Sequence, residues 1–277
     1  MCGPTLPRPA IYMQSWFLDI MVPGWEALVE SESNNSPYHA VMALPCRRKW
    51  MISYLYQPYL SAQHGYVGPD NSPENMKRFF ESIPNRFRYW DFCMNDSNPV
   101  SVPGYNVYGR NNRILILNKS YDSLRANFSE NCLRNIRKSE ARECVIEQRG
   151  HEGIEEALDL YIRNTKFAPG STAITRVKQL IEVMKEKNNC RCTLRFAIRI
   201  DWYLLPYSSG RATGLIFLLP ANTDEAKQIG SSSALINAFI KDHSSSNVML
   251  DFEGSDIESV DRFYASFGAE IKTLSGS

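Results

Sequence analysis

Apolar and polar positions begin to alternate at Tyr38, and a period of two predicts strands. His39–Leu44 is one such run, and Trp50–Tyr56 is a second running back across the basic stretch Cys46-Arg47-Arg48-Lys49. Together they read as a β-hairpin with a charged turn, ended by Gln57-Pro58. Ser72-Pro73-Glu74 then supplies a cap residue, a proline at the first helical position and an acid in the first turn, which predicts a helix to about Ile83. Arg86–Met94 and Tyr105–Leu117 are strand-like, the second with a turn expected at Gly109-Arg110-Asn111-Asn112.

The period lengthens after residue 120. Leu124, Phe128, Cys132 and Ile136 recur every four residues with Leu133 beside them, predicting one long helix over about 121–142. A short strand (Cys144–Gln148), an amphipathic helix (Ile154–Thr165) and a further helix over roughly 173–187 follow. Cys190–Ile200 and Arg211–Leu219 read as strands about a turn at Tyr207-Ser208-Ser209-Gly210. A helix from Ser231 to His243, a strand Asn247–Phe252 and a helix Ile257–Phe267 complete the pattern. Ser255 and Glu258 have capping-box spacing before that last helix. Strand, helix, strand, helix with short links predicts a β-α-β crossover and parallel pairing. Since helices and strands alternate twice, the expectation is an α/β (α+β) protein of two similar lobes, residues 1–120 and 121–277, with mixed sheets flanked by helices.

Composition narrows the function classes. The net charge of +1 across 277 residues gives no general attraction to DNA or to an acidic membrane, so any anion site must be local. No run approaches the roughly 18 apolar residues of a membrane span, and the N-terminal stretch lacks a continuous apolar signal region. Those features predict a cytoplasmic protein. The seven cysteines show no C-x-x-C spacing, and the four histidines no metal-ligand spacing. Free thiols and no metal are therefore expected, with Cys190 and Cys192 on one strand face. Hydrolase and P-loop motifs are absent from the sequence.

Three places could carry chemistry. Gly230-Ser231-Ser232-Ser233 opens a helix, where unpaired N–H groups and the helix dipole can hold a phosphate or an acyl carbonyl; it can equally be a plain cap. Asp251 and Glu253 lie at the end of a strand expected to be parallel, where open α/β sheets place ligands. Glu253 could accept a proton from an attacking amine, or both acids could only offset a helix dipole or pair with Arg262. Arg134, Arg137, Lys138 and Arg142 share one side of the long helix, either as a phosphate-binding surface or as a solvated face supported by Glu130 and Glu140.

At the C-terminus, Leu250-Asp251-Phe252-Glu253-Gly254-Ser255, then Arg262-Phe263-Tyr264 and Ser266-Phe267-Gly268-Ala269, resembles the signature of Fem-like acyltransferases of the GNAT type. Asn131–Lys138 is similar to the basic helix of that group. Gln14-Ser15-Trp16, Pro23-Gly24-Trp25, Pro45–Lys49 and Tyr54-Leu55-Tyr56-Gln57-Pro58 resemble an uncharacterised bacterial branch of it. The resemblance implies two tandem GNAT-like lobes. It also implies transfer of an acyl or aminoacyl group from a CoA- or tRNA-type donor to an amine, with no permanently bound cofactor.

By the same resemblance, Glu253 would be the base or positioning carboxylate and Tyr264 the acid. Gly230, Ser231, Ser232 and Ser233 would hold the donor. Tyr56, Gln57, Arg134, Arg137, Lys138, Asp251 and Arg262 would line the substrate path between the lobes. The implied partners are a small acyl donor, acyl-CoA among the candidates, and an amine acceptor; tRNA enters only as an aminoacyl donor. Two departures stand out: Tyr264 occupies a position where peptidyltransferases commonly carry Lys, and Lys227–Ser231 lacks the glycine-rich pyrophosphate loop of CoA-dependent relatives. Both fit the alternative of a GNAT-fold module that binds a ligand without catalysis.

Overall fold

A computed structural model describes residues 11–276, apart from 34–35, 100, 145, 150–152, 165–168, 187–191, 196–203, 210–211, 218–222 and 255–256. The chain divides into two compact units. One comprises the described residues of Met1–Asn112, Ser208–Gly210 and Lys272–Ser277; the other comprises those of Arg113–Tyr207 and Arg211–Ile271.

The first unit begins with a short 3-10 turn (Ile11–Met13) and α1 (Ser15–Met21). Then come β1 (Glu26–Glu30), β2 (Ala40–Leu44), β3 (Cys46–Lys49), β4 (Ile52–Tyr56), β5 (Gly65–Val67), α2 (Pro73–Glu81) and β6 (Phe87–Asp91). Its strands form two sheets in the orders β1-β2-β5 and β3-β4-β6. Met42, Leu44, Leu55, Tyr66, Phe79 and Phe80 are buried in one apolar cluster between these elements. Removing each such side chain from water contributes about 1.5–3 kcal/mol. As predicted, the Ser72 hydroxyl accepts from the Asn75 N–H and Pro73 opens α2.

The hairpin differs from its expectation. His39–Leu44 does not pair with Trp50–Tyr56. The chain breaks at Pro45, which has no N–H to give a ladder, and β2 pairs with β1 and β5 instead. Cys46–Lys49 is a strand in its own right, antiparallel to β4, and β4 lies parallel to β6. The basic residues thus form one arm of the hairpin, and the turn is Trp50-Met51. The segments α1 and β1 escaped the periodicity because α1 is only 7 residues long and β1 is half-buried without alternation.

The chain continues with β7 (Tyr108–Ile116), which runs across the divide, then α3 (Tyr121–Arg125), α4 (Glu130–Glu140), β8 (Ile146–Arg149), α5 (Ile154–Asn164) and α6 (Ser171–Glu186). After these come β9 (Cys192–Arg195), β10 (Leu204–Ser209), β11 (Ala212–Phe217), α7 (Asp224–Gln228), α8 (Ser231–His243), β12 (Val248–Gly254), α9 (Glu258–Ala265) and β13 (Glu270–Gly276). Five strands form a sheet in the order β10-β11-β12-β7-β13, and β8 pairs with β9 separately. The expected parallel crossover is present: Thr213 to Ile216 of β11 lie beside Val248 to Asp251 of β12. Leu235, Ile236, Phe239 and Ile240 of α8 share a core with Cys132 and Ile136 of α4 and with Leu250 and Phe252 of β12. No helix among the described residues is long and apolar enough to cross a membrane.

Two expectations fail here for local reasons. The single helix over 121–142 is two helices, because Ser120 and Ser129 each cap a new start, accepting from the Ser123 and Cys132 N–H groups. Gly109–Asn112 makes no turn, since β7 has strand neighbours on both sides and runs through unbroken. For the capping box, Ser255 lies outside the described residues, and Ile257 occupies the cap of α9 without a side-chain bond. Cys190 also lies outside them, while Cys46, Cys93, Cys132 and Cys144 are free thiols.

Candidate functional site

The chemistry-bearing residues of the second unit gather where β12 ends. Beyond Asp251, whose partner in β11 is Ile216, β12 continues through Phe252 and Glu253. Asp251 is buried, and its Oδ1 accepts the Glu253 N–H at 2.8 Å. That bond accompanies a φ of +62° at Glu253, in the left-handed region that an L-residue enters only at a cost of roughly 1–2 kcal/mol. Glycine would be the residue of least strain there, yet the position carries a half-buried carboxylate. The C-terminal ends of parallel strands are where open α/β sheets place ligands, and strained backbone is often found at such sites.

Tyr264 of α9 packs beneath it. Its ring stacks on Phe252 at 4.6 Å between centroids and 18° between planes, and Phe267 stands 6.3 Å from Phe252. Only 5% of Tyr264 is exposed. Burial, followed by the negative charge of Glu253, pushes its hydroxyl far above the ordinary tyrosine range. The group therefore remains a neutral phenol at physiological pH, able to donate a hydrogen bond but reluctant to release its proton.

The other predicted residues are dispersed. Gly230 starts α8 at φ +74°, with a Cβ there only 2.4 Å from the Asn135 carbonyl oxygen, so the backbone of α4 lies directly over it. Ser231 and Ser233 are buried, and Ser232 alone of the three serines is half-exposed. The Ser231 hydroxyl finds no hydrogen-bond partner among the described residues. Arg134, Arg137 and Lys138 project to solvent from α4, with Arg137 3.9 Å from Glu130. Arg262 is exposed and pairs with Glu258 at 3.5 Å, not with Asp251 or Glu253. In the first unit, Gln57 uses both ends of its amide on backbone: its Oε1 accepts the Cys93 N–H at 2.6 Å and its Nε2 donates to the Ser61 carbonyl. Tyr56 lies under the Arg47 guanidinium, 5.0 Å from the ring centre.

Known proteins were compared with this chain at three levels. No family model matches it, and no curated protein matches it. Solved structures do. FemX matches with a TM-score of 0.62 at 12% identity, over 98% of this chain and 93% of that one. A protein of unknown function from Bacteroides thetaiotaomicron matches with a TM-score of 0.58 at 11% identity, over 94% and 88%. L-PGS from Bacillus licheniformis matches with a TM-score of 0.52 at 9% identity, over 99% and 93%. The chain has a Fem-like fold.

Within the Fem-like fold, one pair was invisible in the sequence. Arg113 of β7 grips both carboxylate oxygens of Asp261 at 2.7 Å each and donates to the Ala269 carbonyl at 3.2 Å. This two-pronged bond, with side chains only 14% and 18% exposed, fastens α9 and therefore Tyr264 to the sheet. Arg113 holds the Asp261 carboxyl below the ordinary carboxylate range, so its share of stability is present above about pH 4 and lost as pH falls further. Asp261→Asn is expected to cost about 2 kcal/mol at pH 7. Urea unfolding at pH 7 and pH 3 checks this: the gap from the unsubstituted protein should narrow at pH 3, and an unchanged gap would refute the ionic account.

Proposed function

We propose that the chain is an N-acyltransferase that moves an acyl or aminoacyl group from an activated donor to an amine. Glu253 carries the reading: a carboxylate kept in a strained backbone conformation by Asp251 at the end of β12. An amine attacking an acyl carbon must shed a proton, and a placed carboxylate can accept it as the bond forms. The likeness in fold to FemX supports the same class of reaction.

Tyr264 then acts by hydrogen bonding. Its raised pKa makes full transfer of its proton to a thiolate unfavourable, since thiols ionise near 8.5. An alkoxide leaving group, as released from an aminoacyl ester, is a much stronger base and better matched to this phenol. The covered start of α8 points the same way, because Gly230 and Ser231 have no open surface on which a CoA pyrophosphate could rest. We therefore favour an ester donor over a thioester. The covered α8 start also favours a second reading, a non-catalytic ligand-binding module.

Thermal unfolding with acetyl-CoA, with an aminoacyl-tRNA and with free adenosine nucleotides separates these. A ligand at a hundred times its Kd stabilises the native state by about 2.7 kcal/mol. A shift with aminoacyl-tRNA alone supports the ester donor, and a shift with acetyl-CoA alone reverses that choice. No shift with either donor overturns the transferase reading in favour of the binding module.

A further inference from the structure

The hairpin of β3 and β4 ends in an unusual turn. Lys49 pairs with Ile52, so only Trp50 and Met51 connect the strands, and both lie at positive φ, +52° and +70°. Two-residue turns of this kind are ordinarily Asn-Gly or Asp-Gly, because side chains are disfavoured at such angles. Here a tryptophan and a methionine occupy both positions, 85% and 82% exposed, and Ile52 beside them is 53% exposed. Neither local conformation nor packing within the protein explains three apolar side chains held in water at a strained tip.

Their surroundings are cationic. From Cys46 to Tyr56 the chain carries Arg47, Arg48 and Lys49 and no carboxylate. All three cations are exposed, and so are Arg88 and Tyr89 on the adjoining strand β6. The ladder puts Arg47 opposite Tyr54 and Lys49 opposite Ile52, so these four share one face of the hairpin with Tyr56. Tyr54 and Tyr56 meet edge to face at 6.1 Å, and Arg47 lies over Tyr56. Behind the apolar tip, Lys49, Arg47, Tyr54 and Tyr56 thus follow on one face of the hairpin, and Arg48, opposite Ser53, lies on the other.

We propose that this hairpin docks the protein on an anionic phospholipid surface. Trp50, Met51 and Ile52 enter the boundary between headgroups and acyl chains, while Lys49, Arg48 and Arg47, which follow the tip at the level of Ile52 to Tyr54, meet the lipid phosphates together with Tyr54 at headgroup depth. The near-neutral protein as a whole supplies no such attraction; the patch does. Nucleic acid would use the same cations, but it rewards flat stacking side chains, and methionine and isoleucine at the tip fit hydrocarbon better.

Co-sedimentation of the full chain with vesicles tests this. The vesicles are phosphatidylcholine alone and phosphatidylcholine with about a third phosphatidylglycerol, the latter in low and high salt. Binding is expected to the anionic vesicles, weaker at high salt and weaker still to phosphatidylcholine. Trp50→Asn with Met51→Gly restores the preferred turn chemistry, so its Tm should hold or rise while vesicle binding falls about tenfold or more. Arg47→Gln with Arg48→Gln and Lys49→Gln should remove the salt-sensitive part, and Ile271→Ser, an exposed apolar residue elsewhere, should change nothing. Three results overturn the proposal: no binding of the unsubstituted protein to anionic vesicles, equal binding by the tip variant, or a Trp50-dependent interaction with RNA or a second copy of the chain without one with vesicles.

Discussion

Glu253→Gln is expected to lower turnover by about 10²–10⁴-fold, the usual contribution of a placed general base, while leaving the unfolding midpoint nearly unchanged. Glutamine keeps the length of the side chain and loses the ability to accept the amine proton. Glu253→Gly is the sharper companion. At φ +62° glutamate bears a left-handed conformation that glycine adopts freely, so after allowing for the greater freedom of unfolded glycine the variant should gain up to about 1 kcal/mol. A purely structural Glu253 predicts that neither variant alters the rate. A working carboxylate predicts that the more stable protein is the inactive one. The measurement is amide formation under saturating donor, alongside urea unfolding of the same preparations. Turnover by Glu253→Gln within about twofold of the unsubstituted enzyme would remove the general-base assignment.

Asp251 sets up that position without being assigned to the reacting atoms. Its carboxylate accepts the Glu253 N–H, so it fixes the backbone of Glu253. The sequence showed the two acids at i and i+2 near the end of a strand, where a period of two places both on one face. It could not show that Asp251 accepts the Glu253 N–H, because that local bond goes with the positive φ at Glu253, which a regular alternating strand does not have.

Legibility followed how local each signal is. Ser72-Pro73-Glu74 opens α2 as read because cap, proline and acid act within one turn. The parallel pairing of β11 and β12 was legible because a strand, helix and strand joined by short links leave little alternative. The C-terminal motif pointed to the Fem-like fold that the solved structures share. Registers between distant segments were not legible. Nothing near Arg113 names Asp261, and nothing near Gly230 names the Asn135 carbonyl packed against it. The hairpin departs from the alternation pattern at Pro45, because a missing N–H breaks a ladder whatever the side chains do.

His64 provides the test of the first unit, and its expected effect is as large. The side chain is fully buried, with Nε2 2.8 Å from the Ser61 hydroxyl and Nδ1 lacking a partner among the described residues. A buried amide network fixes it from both sides along the chain. Asn95 donates to the His64 carbonyl at 3.1 Å and to the Tyr66 carbonyl at 2.8 Å, while the Tyr66 N–H donates to Asn98 Oδ1 at 3.0 Å. Gly65 between them has φ +92°, and a Cβ there would fall 2.3 Å from Asn98 Oδ1, so only glycine fits between the two residues that the network holds. Burial lowers the His64 pKa to about 3, whereas the unfolded chain titrates it near 6.5. Below 6.5 the unfolded state binds a proton that the folded state refuses, and the native state loses about 1.4 kcal/mol per pH unit until both forms are protonated near pH 3. Between pH 6.5 and 4.5 His64 should remove about 2 kcal/mol, and comparison with a variant that lacks the imidazole separates this from other titrations. His64→Gln fills a similar volume and cannot titrate. It should be less stable at pH 7, where the fitted ring is lost, yet should lose far less on acidification, so the two stabilities converge toward pH 4.5. Equal slopes for the two proteins across that window would show that His64 is not held neutral by the fold.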